Sequence, residues 1–302
     1  RRIRVAHNAM RNLGTVLVHV GGAVLRAASH SVVAHNRVTT TSRYAIQADS
    51  FYVLEGGGPP AAPGSGLNSR GNVVEYNILS DNCRLTTDAG AIEMLGSGDP
   101  AFDGGGAGWW TNNTIRWNNI TSTVGSSSSD GATVCVHGGP RNSPSCRDLI
   151  WGIYLDGGQS GVTVFGNIID ATLHGAVFDN AGGNNTIQNN VLVCDTTSNI
   201  ACLDFGAVGV SPSQPHTPRA VSGSRSFRNV FYWRGAARVP ERALPQALAS
   251  QTQWTNRELK ANGSDYNVYW ARDFNASAVA LFPGSLVLEE WQGARGGGGA
   301  AN

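Results

Sequence analysis

A short phrase recurs six times along this chain, and its spacing limits what the chain can fold into. Each copy alternates apolar and polar residues up to an Asn and then ends on another apolar pair. A repeat whose shortest spacing is 23 residues, and which lengthens only by insertion, is typical of solenoids. The six copies are aligned on Asn8, Asn36, Asn77, Asn119, Asn167 and Asn190.

The content of the phrase favours strands over helices. Short alternating runs separated by Gly and Asn have the period of a β-strand, and the spacing is too short for strand–helix–strand units. The sequence therefore predicts an all-β fold, a right-handed parallel β-helix, with successive coils about 4.8 Å apart. We expect the repeated Asn to lie at equivalent bends, where left-handed backbone is tolerated and side-chain amides can form a ladder.

Composition agrees with one large solenoid domain. Gly accounts for 39 of 302 residues, and charged residues for only 14%. The net charge of +1 gives no reason to expect nucleic acid as a partner, and no apolar run reaches the roughly 18 residues of a membrane span. Because Arg1 leads straight into a repeat, we expect the chain to be part of a longer product or of a larger assembly.

The repeats do not continue to the end of the chain. After one weaker copy at 227–233 the sequence becomes rich in Pro, Arg and Ala. We therefore predict a β-helix over 1–233 and an irregular cap over 234–302, with a loop, short helices and a final strand at Ser264–Trp270. Such a cap is expected because the open end of a β-helix exposes unpaired strand edges.

Five cysteines and five glycosylation sequons favour a secreted protein. Short loops separate Cys135 from Cys146 and Cys194 from Cys202, which predicts two disulfides and leaves Cys83 over. Buried free thiols in a reducing compartment are the alternative. The sequons begin at Asn112, Asn119, Asn184, Asn262 and Asn275.

The strand after each phrase carries the candidate chemistry. If side chains alternate in and out, these strands place one polar residue per coil on the outer surface. The predicted outward column is His19, Gln47, Glu93, Asp156, Asp179 and Asp204. Carboxylates stacked about 5 Å apart repel one another, and so they need a cation, a base or a shared proton.

Three uses of such a column are physically sensible. Two carboxyl groups about 5–5.5 Å apart have the geometry of a retaining glycosidase. Three or more carboxylates can instead bind Ca²⁺ through their oxygens, although a metal is not required for the first use. The third possibility is a solvated acidic face without chemistry.

Other residues lie near this column in the sequence. Asp88 precedes Glu93 by five residues and either completes a carboxylate cluster or caps a turn. His137, in the longest insertion, is a candidate sugar contact or simply a loop residue, and His174 is a weaker one. Trp109 and Trp110 suit stacking on sugar rings, or they cover the end of a coil.

Three segments carry a resemblance to known proteins: NVVEYNILSDN (72–82), TTDAGAIEMLG (86–96) and GIYLDGGQSGVTVFGNII (152–169). They resemble the right-handed parallel β-helix repeat proteins that are grouped with β-helical glycoside hydrolases of the α-L-fucosidase/xylanase type and lie near the polysaccharide lyases. The resemblance implies that Asp88, Glu93 and Asp156 line a cleft. One departure is Gly157, where many relatives have a second acid.

Three functions follow as hypotheses. The first is an extracellular glycoside hydrolase acting on a polysaccharide, with Asp156 as nucleophile or base, Glu93 as general acid, and Asp88 and Asp179 in support; the two main roles are interchangeable. The second is a non-catalytic, structural or adhesive β-helix. The third is a Ca²⁺-dependent polysaccharide lyase, which is disfavoured because the chain has a single Lys, Lys260, far from the acidic column.

Overall fold

A computed structural model of the chain shows three parallel β-sheets that wind into a β-helix. It describes residues 2–15, 20–26, 28–49, 69–96, 111–125, 149–156, 159–180, 182–194, 202–206, 223–233 and 263–271. All secondary structure in these residues is strand or turn, and every strand pairing is parallel. The predicted parallel β-helix is confirmed, and no helix in this part of the chain is long and apolar enough to cross a membrane.

Each of the first six coils contributes one strand to each sheet, and two later coils contribute described strands to the first and second sheets. The first sheet consists of Arg4–Ala6, Val32–Ala34, Val73–Glu75, Thr114–Arg116, Thr163–Phe165, Thr186–Gln188, Arg225–Phe227 and Gly263–Asp265. The second consists of Ala9–Leu13, Arg37–Thr41, Ile78–Asn82, Asn119–Thr123, Ile168–Thr172, Val191–Cys194, Val230–Trp233 and Val268–Ala271. The third consists of Ala23–Arg26, Ile46–Asp49, Asp88–Leu95, Leu149–Asp156, Gly175–Asn180 and Leu203–Gly206.

The core lies inside the coil and consists of stacked aliphatic side chains. In the first sheet, Val33, Val74 and Ile115 occupy the same register position and are fully buried. The second and third sheets add equivalent columns, and together they form one continuous apolar cluster. Short alternating phrases suffice for this fold, because each strand needs only one or two inward side chains to continue the stack.

A ladder of Asn side chains joins the coils at the bend between the first and second sheets. Asn77 is typical: its backbone N–H and its Nδ2 both donate to Oδ1 of Asn118, at 3.0 and 2.9 Å, and Nδ2 also donates to the carbonyl of Val33 at 2.9 Å. The ladder thereby satisfies buried polar groups at every coil. Its members are Asn8, Asn36, Asn77, Asn118, Asn167, Asn190, Asn229 and Asn267.

Two details of the predicted bend are wrong. The ladder residue of the fourth coil is Asn118, whereas Asn119 begins the next strand and is exposed. The left-handed backbone falls on the residue before each ladder Asn, with φ between 51° and 64°. These residues are His7, His35, Tyr76, Trp117, Gly166, Asn189, Arg228 and Tyr266. The Asn is selected for its hydrogen bonds and not for its backbone conformation.

The β-helix continues beyond the predicted boundary at residue 233. The predicted final strand is in fact two strands, Gly263–Asp265 and Val268–Ala271, which extend the first and second sheets. Asn267 between them accepts hydrogen bonds from Asn229, as an eighth member of the ladder. The rest of the predicted cap, 234–262 and 272–302, lies outside the described residues.

The cysteines and sequons are only partly described. Cys83 is buried and free, whereas Cys202 is fully buried and the side chain of Cys194 lies outside the described residues, as do Cys135 and Cys146. Both predicted disulfides therefore stay predictions. The sequon residues Asn112, Asn119 and Asn184 are exposed, and Asn262 and Asn275 lie outside the described part.

Candidate functional site

The candidate site lies on the outer face of the third sheet. In the strand Asp88–Leu95 the side chains of Ile92 and Met94 belong to the core, so Glu93 between them projects outward. Gln47 and Tyr154 are its register partners on the two neighbouring strands. All three outward side chains are nevertheless at most 5% exposed, which makes this a covered face and not a solvated one.

A recurring bulge sets which residues of these strands face outward. The amides of Ala176 and Val177 both donate to the carbonyl of Cys202, at 2.9 and 3.2 Å. Gly22 and Ala23 share the carbonyl of Ala45 in the same way. Two residues opposing one is the pattern of a β-bulge, which turns consecutive side chains to the same side and shifts the alternation by one residue.

Glu93 occupies the centre of the site. Its Oε1 accepts a hydrogen bond from Nε2 of Gln47 at 2.7 Å and lies 3.9 Å from a guanidinium nitrogen of Arg43, whereas its buried Oε2 has no hydrogen-bond partner. Burial raises the pKa of Glu93 to about 7; Arg43 and the Gln47 hydrogen bond oppose the rise, and Asp156 and Asp88 add to it. A carboxyl group with this pKa can hold or release a proton at neutral pH.

Asp156 is the second carboxylate of the site and is partly exposed. It follows Tyr154 by two residues on the strand Leu149–Asp156, so it projects to the same outer face as Glu93. Nδ2 of Asn180 donates to its Oδ1 at 2.8 Å. The negative charges of Asp156, Asp88 and Glu93 add to burial in raising the pKa of the Tyr154 hydroxyl. These acidic groups therefore share one electrostatic environment.

Aromatic rings cover the strands next to the two carboxyl groups. Phe178 stacks between Trp151 and Tyr154, with ring centroids 4.8 and 5.1 Å apart. The imidazole of His174 also packs against Trp151, with ring centroids 4.5 Å apart. The rings exclude water from one side of the site, which strengthens the charge interactions within it.

At the opposite side the face carries an ion pair. Asp49, which is 5% exposed, accepts a hydrogen bond from Nε of Arg26 at 3.2 Å. Burial still raises the pKa of Asp49, because the pairing with Arg26 offsets only part of the desolvation. Asp88 begins the strand that carries Glu93, as predicted, and hydrogen-bonds through its backbone to Thr86.

The predicted register between the two main carboxylates is wrong. Glu93 pairs with Tyr154, and Asp156 pairs with Leu95, so the carboxylates are diagonal neighbours and not stacked on one column. The strands Asp88–Leu95 and Leu149–Asp156 are buried on both faces, and for this reason alternation of polar and apolar residues does not reveal their phase.

Asp179 is not part of the site. It pairs with Leu155 and occupies the inward column, where its Oδ2 accepts a hydrogen bond from Ser224 at 2.8 Å. Burial raises its pKa to about 6, and hydrogen bonds from Asn185, Ser224 and the Gly182 backbone limit the rise. The predicted outward position of Asp179 is wrong, because the alternation of the strand Gly175–Asn180 differs by one residue from the predicted one.

The remaining candidates stand as follows. Asp204 takes the register position of Glu93 on the strand Leu203–Gly206, as predicted, although its side chain is outside the described part. Val24 holds that position in the first coil, where His19 was expected. His19, His137, Trp109 and Trp110 lie outside the described residues.

Sequence reasoning missed Arg43, Tyr154 and Asn180. Each contacts a predicted acid or shares its environment, but a search for carboxylates passes over basic, aromatic and amide side chains. The one available signal was their position: Arg43 begins the run RYAIQ, and Asn180 directly follows the acid of GAVFD. In the part of the chain that is described, no cluster of three or more His, Cys, Asp or Glu side chains fits a metal ion, so the Ca²⁺ alternative finds no support there.

Comparison with known proteins adds little to this geometry. No family model matches the chain, and no curated protein matches it in sequence. Among solved structures, a PL6-family polysaccharide lyase from Pseudopedobacter saltans is similar over 87% of this chain and 68% of its own, with 12% identity and a TM-score of 0.36. A likeness this weak transfers neither a substrate nor a mechanism to the present chain.

Proposed function

We propose that the protein is a glycoside hydrolase acting on a polysaccharide, with Glu93 as its general acid. The observation that carries the proposal is the state of this carboxyl group: it is buried, its pKa is raised to about 7, and its Oε2 has no hydrogen-bond partner. The proposal requires the residues that cover Glu93 to move aside; a protonated Oε2 is then a donor that a glycosidic oxygen can accept from. Raising the pKa of one carboxyl group while a neighbouring one stays ionised is how glycosidases separate acid from base.

In the proposed reaction Asp156 is the base. Its carboxylate removes a proton from a water molecule as the water oxygen bonds to the anomeric carbon. The bond from that carbon to the leaving oxygen breaks, and the leaving oxygen takes the proton from Glu93. The hydrogen bond from Asn180 fixes the orientation of Asp156 for this step.

The register favours inversion at the anomeric carbon. Diagonal neighbours on adjacent strands are about 7–8 Å apart, with their Cβ atoms somewhat closer, whereas residues directly opposite have Cβ atoms about 4.5–5.5 Å apart. Inverting enzymes hold their carboxyl groups about 6.5–9.5 Å apart to admit water, whereas retaining enzymes hold them about 5–5.5 Å apart. Glu93 and Asp156, which are diagonal neighbours, fit the wider separation better.

Hydrolysis fits the described residues better than elimination does. A lyase needs a cation to neutralise the uronate carboxylate and a base beside it. The two cations of the described outer face, Arg26 and Arg43, each already lie beside a carboxylate, Asp49 and Glu93. An acid-lined site accordingly favours a neutral sugar at the point of cleavage.

The test is a cleavage assay across plant and algal polysaccharides, with reducing ends and ultraviolet-absorbing unsaturated ends measured separately. We expect new reducing ends from the wild type, and a kcat about 10²–10⁴-fold lower for Glu93→Gln. Glu75→Gln is the matched control, because it removes a carboxylate from the first sheet, where Glu75 pairs with Arg116. Activity should also decline as the pH rises through the pKa of Glu93, near 7.

Other outcomes overturn the proposal in distinct ways. Unsaturated products identify a lyase. Equal loss of activity in both variants removes Glu93 from the mechanism. No cleavage of any polysaccharide favours the non-catalytic, structural or adhesive β-helix.

The proposal includes an extracellular location, where polysaccharide substrates are found. The exposed sequon residues Asn112, Asn119 and Asn184 are compatible with it. Mass spectrometry of protein from its native source tests this directly: glycans at these residues support secretion, and unmodified peptides at all three argue against a glycoprotein.

A further inference from the structure

The first two coils carry an excess of positive charge. Between residues 2 and 49 the sequence has six Arg and a single carboxylate, Asp49. Over the whole chain the balance is close to neutral, with a net charge of +1. The basic residues are therefore concentrated at one end of the solenoid.

Three of these Arg residues surround the bend between the first and second sheets. Arg37 lies opposite Ala9, and Arg11 lies opposite Thr39, so both project from the outer face of the second sheet as diagonal neighbours. Arg4 begins the first strand of the first sheet and is exposed, as Arg11 and Arg37 are. We call the surface formed by Arg4, His7, Arg11, His35 and Arg37 the basic corner.

Arg4, Arg11 and Arg37 have no carboxylate within ion-pairing distance in the described residues. The other cations nearby are paired: Arg26 bonds Asp49 at 3.2 Å, and Arg43 lies beside Glu93. On the third and fourth coils Arg84 pairs with Asp81, and Arg116 with Glu75 at 2.7 Å. Unpaired guanidinium groups on adjacent coils repel one another, and an anionic ligand would remove that repulsion.

We propose that the basic corner binds an acidic polysaccharide through carboxylate or sulfate groups. The planar guanidinium group donates two parallel hydrogen bonds to such anions, and guanidinium groups on successive coils suit a ligand with repeated charges. The surface is on the first and second sheets, whereas Glu93 projects from the third, so this binding is separate from the proposed hydrolysis. Binding at the basic corner would hold the acidic sugars of a glycan away from the carboxylates of the proposed active site.

The rings at the bend disfavour single-stranded nucleic acid as the partner. Nucleic-acid bases bind by stacking on free aromatic faces. Here His35 is stacked between His7 and Tyr76, with centroids 5.0 and 4.9 Å apart and interplanar angles of 2° and 6°. Both faces of His35 are thus already covered, which reduces the aromatic surface on which a base could stack.

The experiment measures binding of the whole chain to dextran sulfate, carboxymethyl dextran and unmodified dextran. We expect the two charged polymers to bind, with affinity that falls steeply as ionic strength rises, and unmodified dextran not to bind. The double variant Arg11→Gln/Arg37→Gln should weaken binding about 5- to 10-fold. Arg4→Gln/Arg11→Gln is a second variant of the same surface.

Arg225→Gln/Arg228→Gln is the control, because it removes the same net charge from two exposed Arg of the seventh coil, far along the β-helix from the basic corner. Arg225 begins a strand of the first sheet, as Arg4 does, and Arg228 holds the bend position of His7. We expect it to change affinity less than 2-fold. The proposal is overturned if the control variant weakens binding as much as Arg11→Gln/Arg37→Gln does. It is also overturned if the wild-type protein binds neither charged polymer, or if it binds single-stranded DNA more tightly than either polymer.

Discussion

Two regions of this β-helix bury polar side chains, and they do so in opposite ways. At the bend between the first and second sheets, the Asn ladder repeats one hydrogen-bonding pattern in every coil. On the outer face of the third sheet, each coil contributes a different side chain at the position of Glu93: Val24, Gln47, Tyr154 or Phe178. The ladder leaves its amides satisfied, whereas the third-sheet face leaves Oε2 of Glu93 and Oε1 of Gln47 without partners.

This difference distinguishes polar groups that stabilise the fold from polar groups that serve a functional site. A repeated and satisfied polar group stabilises the stack, because each coil supplies the acceptor that its neighbour needs. A buried carboxyl group with an unused oxygen destabilises it, because its desolvation is not compensated. Proteins keep such a group mainly where it performs chemistry. Measurements on the two regions should therefore give opposite results.

The largest expected effect is on the ladder. In Asn118→Ala, the backbone N–H and Nδ2 of Asn77 lose their shared acceptor, and the Nδ2 bonds to Val74 and Asn167 are lost as well. Leaving several buried groups unsatisfied should lower the free energy of unfolding by about 3–5 kcal/mol. Asn119→Ala changes the exposed neighbour and should cost no more than about 0.5 kcal/mol. Denaturant unfolding of both variants measures the contrast.

If both variants were equally stable, the ladder would not be what holds the coils in register. Equal destabilisation would instead show that the bend is sensitive to any change, and the comparison with the third sheet would lose its meaning. The pair also tests whether Asn118, and not Asn119, is the ladder residue of the fourth coil.

The next effect concerns pH and the two buried acids. Burial raises the pKa of Glu93 to about 7 and that of Asp179 to about 6. Between pH about 4 and these values the folded protein holds protons that the unfolded chain releases. Stability is therefore greatest at the acid end of this window and falls as the pH rises to about 7, by on the order of 3 kcal/mol for each group.

Unfolding free energies measured at pH about 4.5, 6 and 7.5 test this directly. Glu93→Gln and Asp179→Asn should each flatten part of the decline, because neither replacement titrates. The same window should be unaffected by Asn119→Ala, which alters no ionisable group. A stability that rises with pH across this range, or variants that keep the full decline, would show that these carboxyl groups are not held protonated by burial.

Much of the fold could be predicted from the sequence, because its rules are local and repeated. The Asn phrase identified the bend in five of the six coils it covered; the error at Asn119 arose because Asn118 and Asn119 are adjacent. The later copies at Asn229 and Asn267 are harder to recognise, because Ser226 and Ser264 stand where the earlier copies have Val or Ile. A phrase anchored by an unusual hydrogen-bonding residue survives insertion, and a pattern of apolar residues alone does not.

The candidate site could be predicted only in part. Glu93 and Gln47 were placed on one column correctly, because Ile92 and Ile46 mark the inward phase of their strands. Asp179 was turned the wrong way, because Phe178 is buried on the outer face and looks like a core residue. Predicting which side chains face inward from alternating polar and apolar residues assumes that one face of the strand is exposed to solvent. The prediction fails where both faces are buried.

The smallest expected effect on stability is at the bend between the first and second sheets, in the coil where a Gly precedes the ladder Asn. Gly166 has φ +64°, and a Cβ built on it would lie 2.7 Å from Cδ1 of Trp117. Gly166→Ala adds a left-handed Ala and displaces this ring from its edge contact with Phe165, so we expect a loss of about 1.5–2.5 kcal/mol. Asn189→Ala tests the backbone alone at the equivalent bend position, with φ +54°, and should cost about 1 kcal/mol. If the two variants lose the same stability in denaturant unfolding, the ring contact contributes nothing, and the Asn ladder alone stabilises this bend.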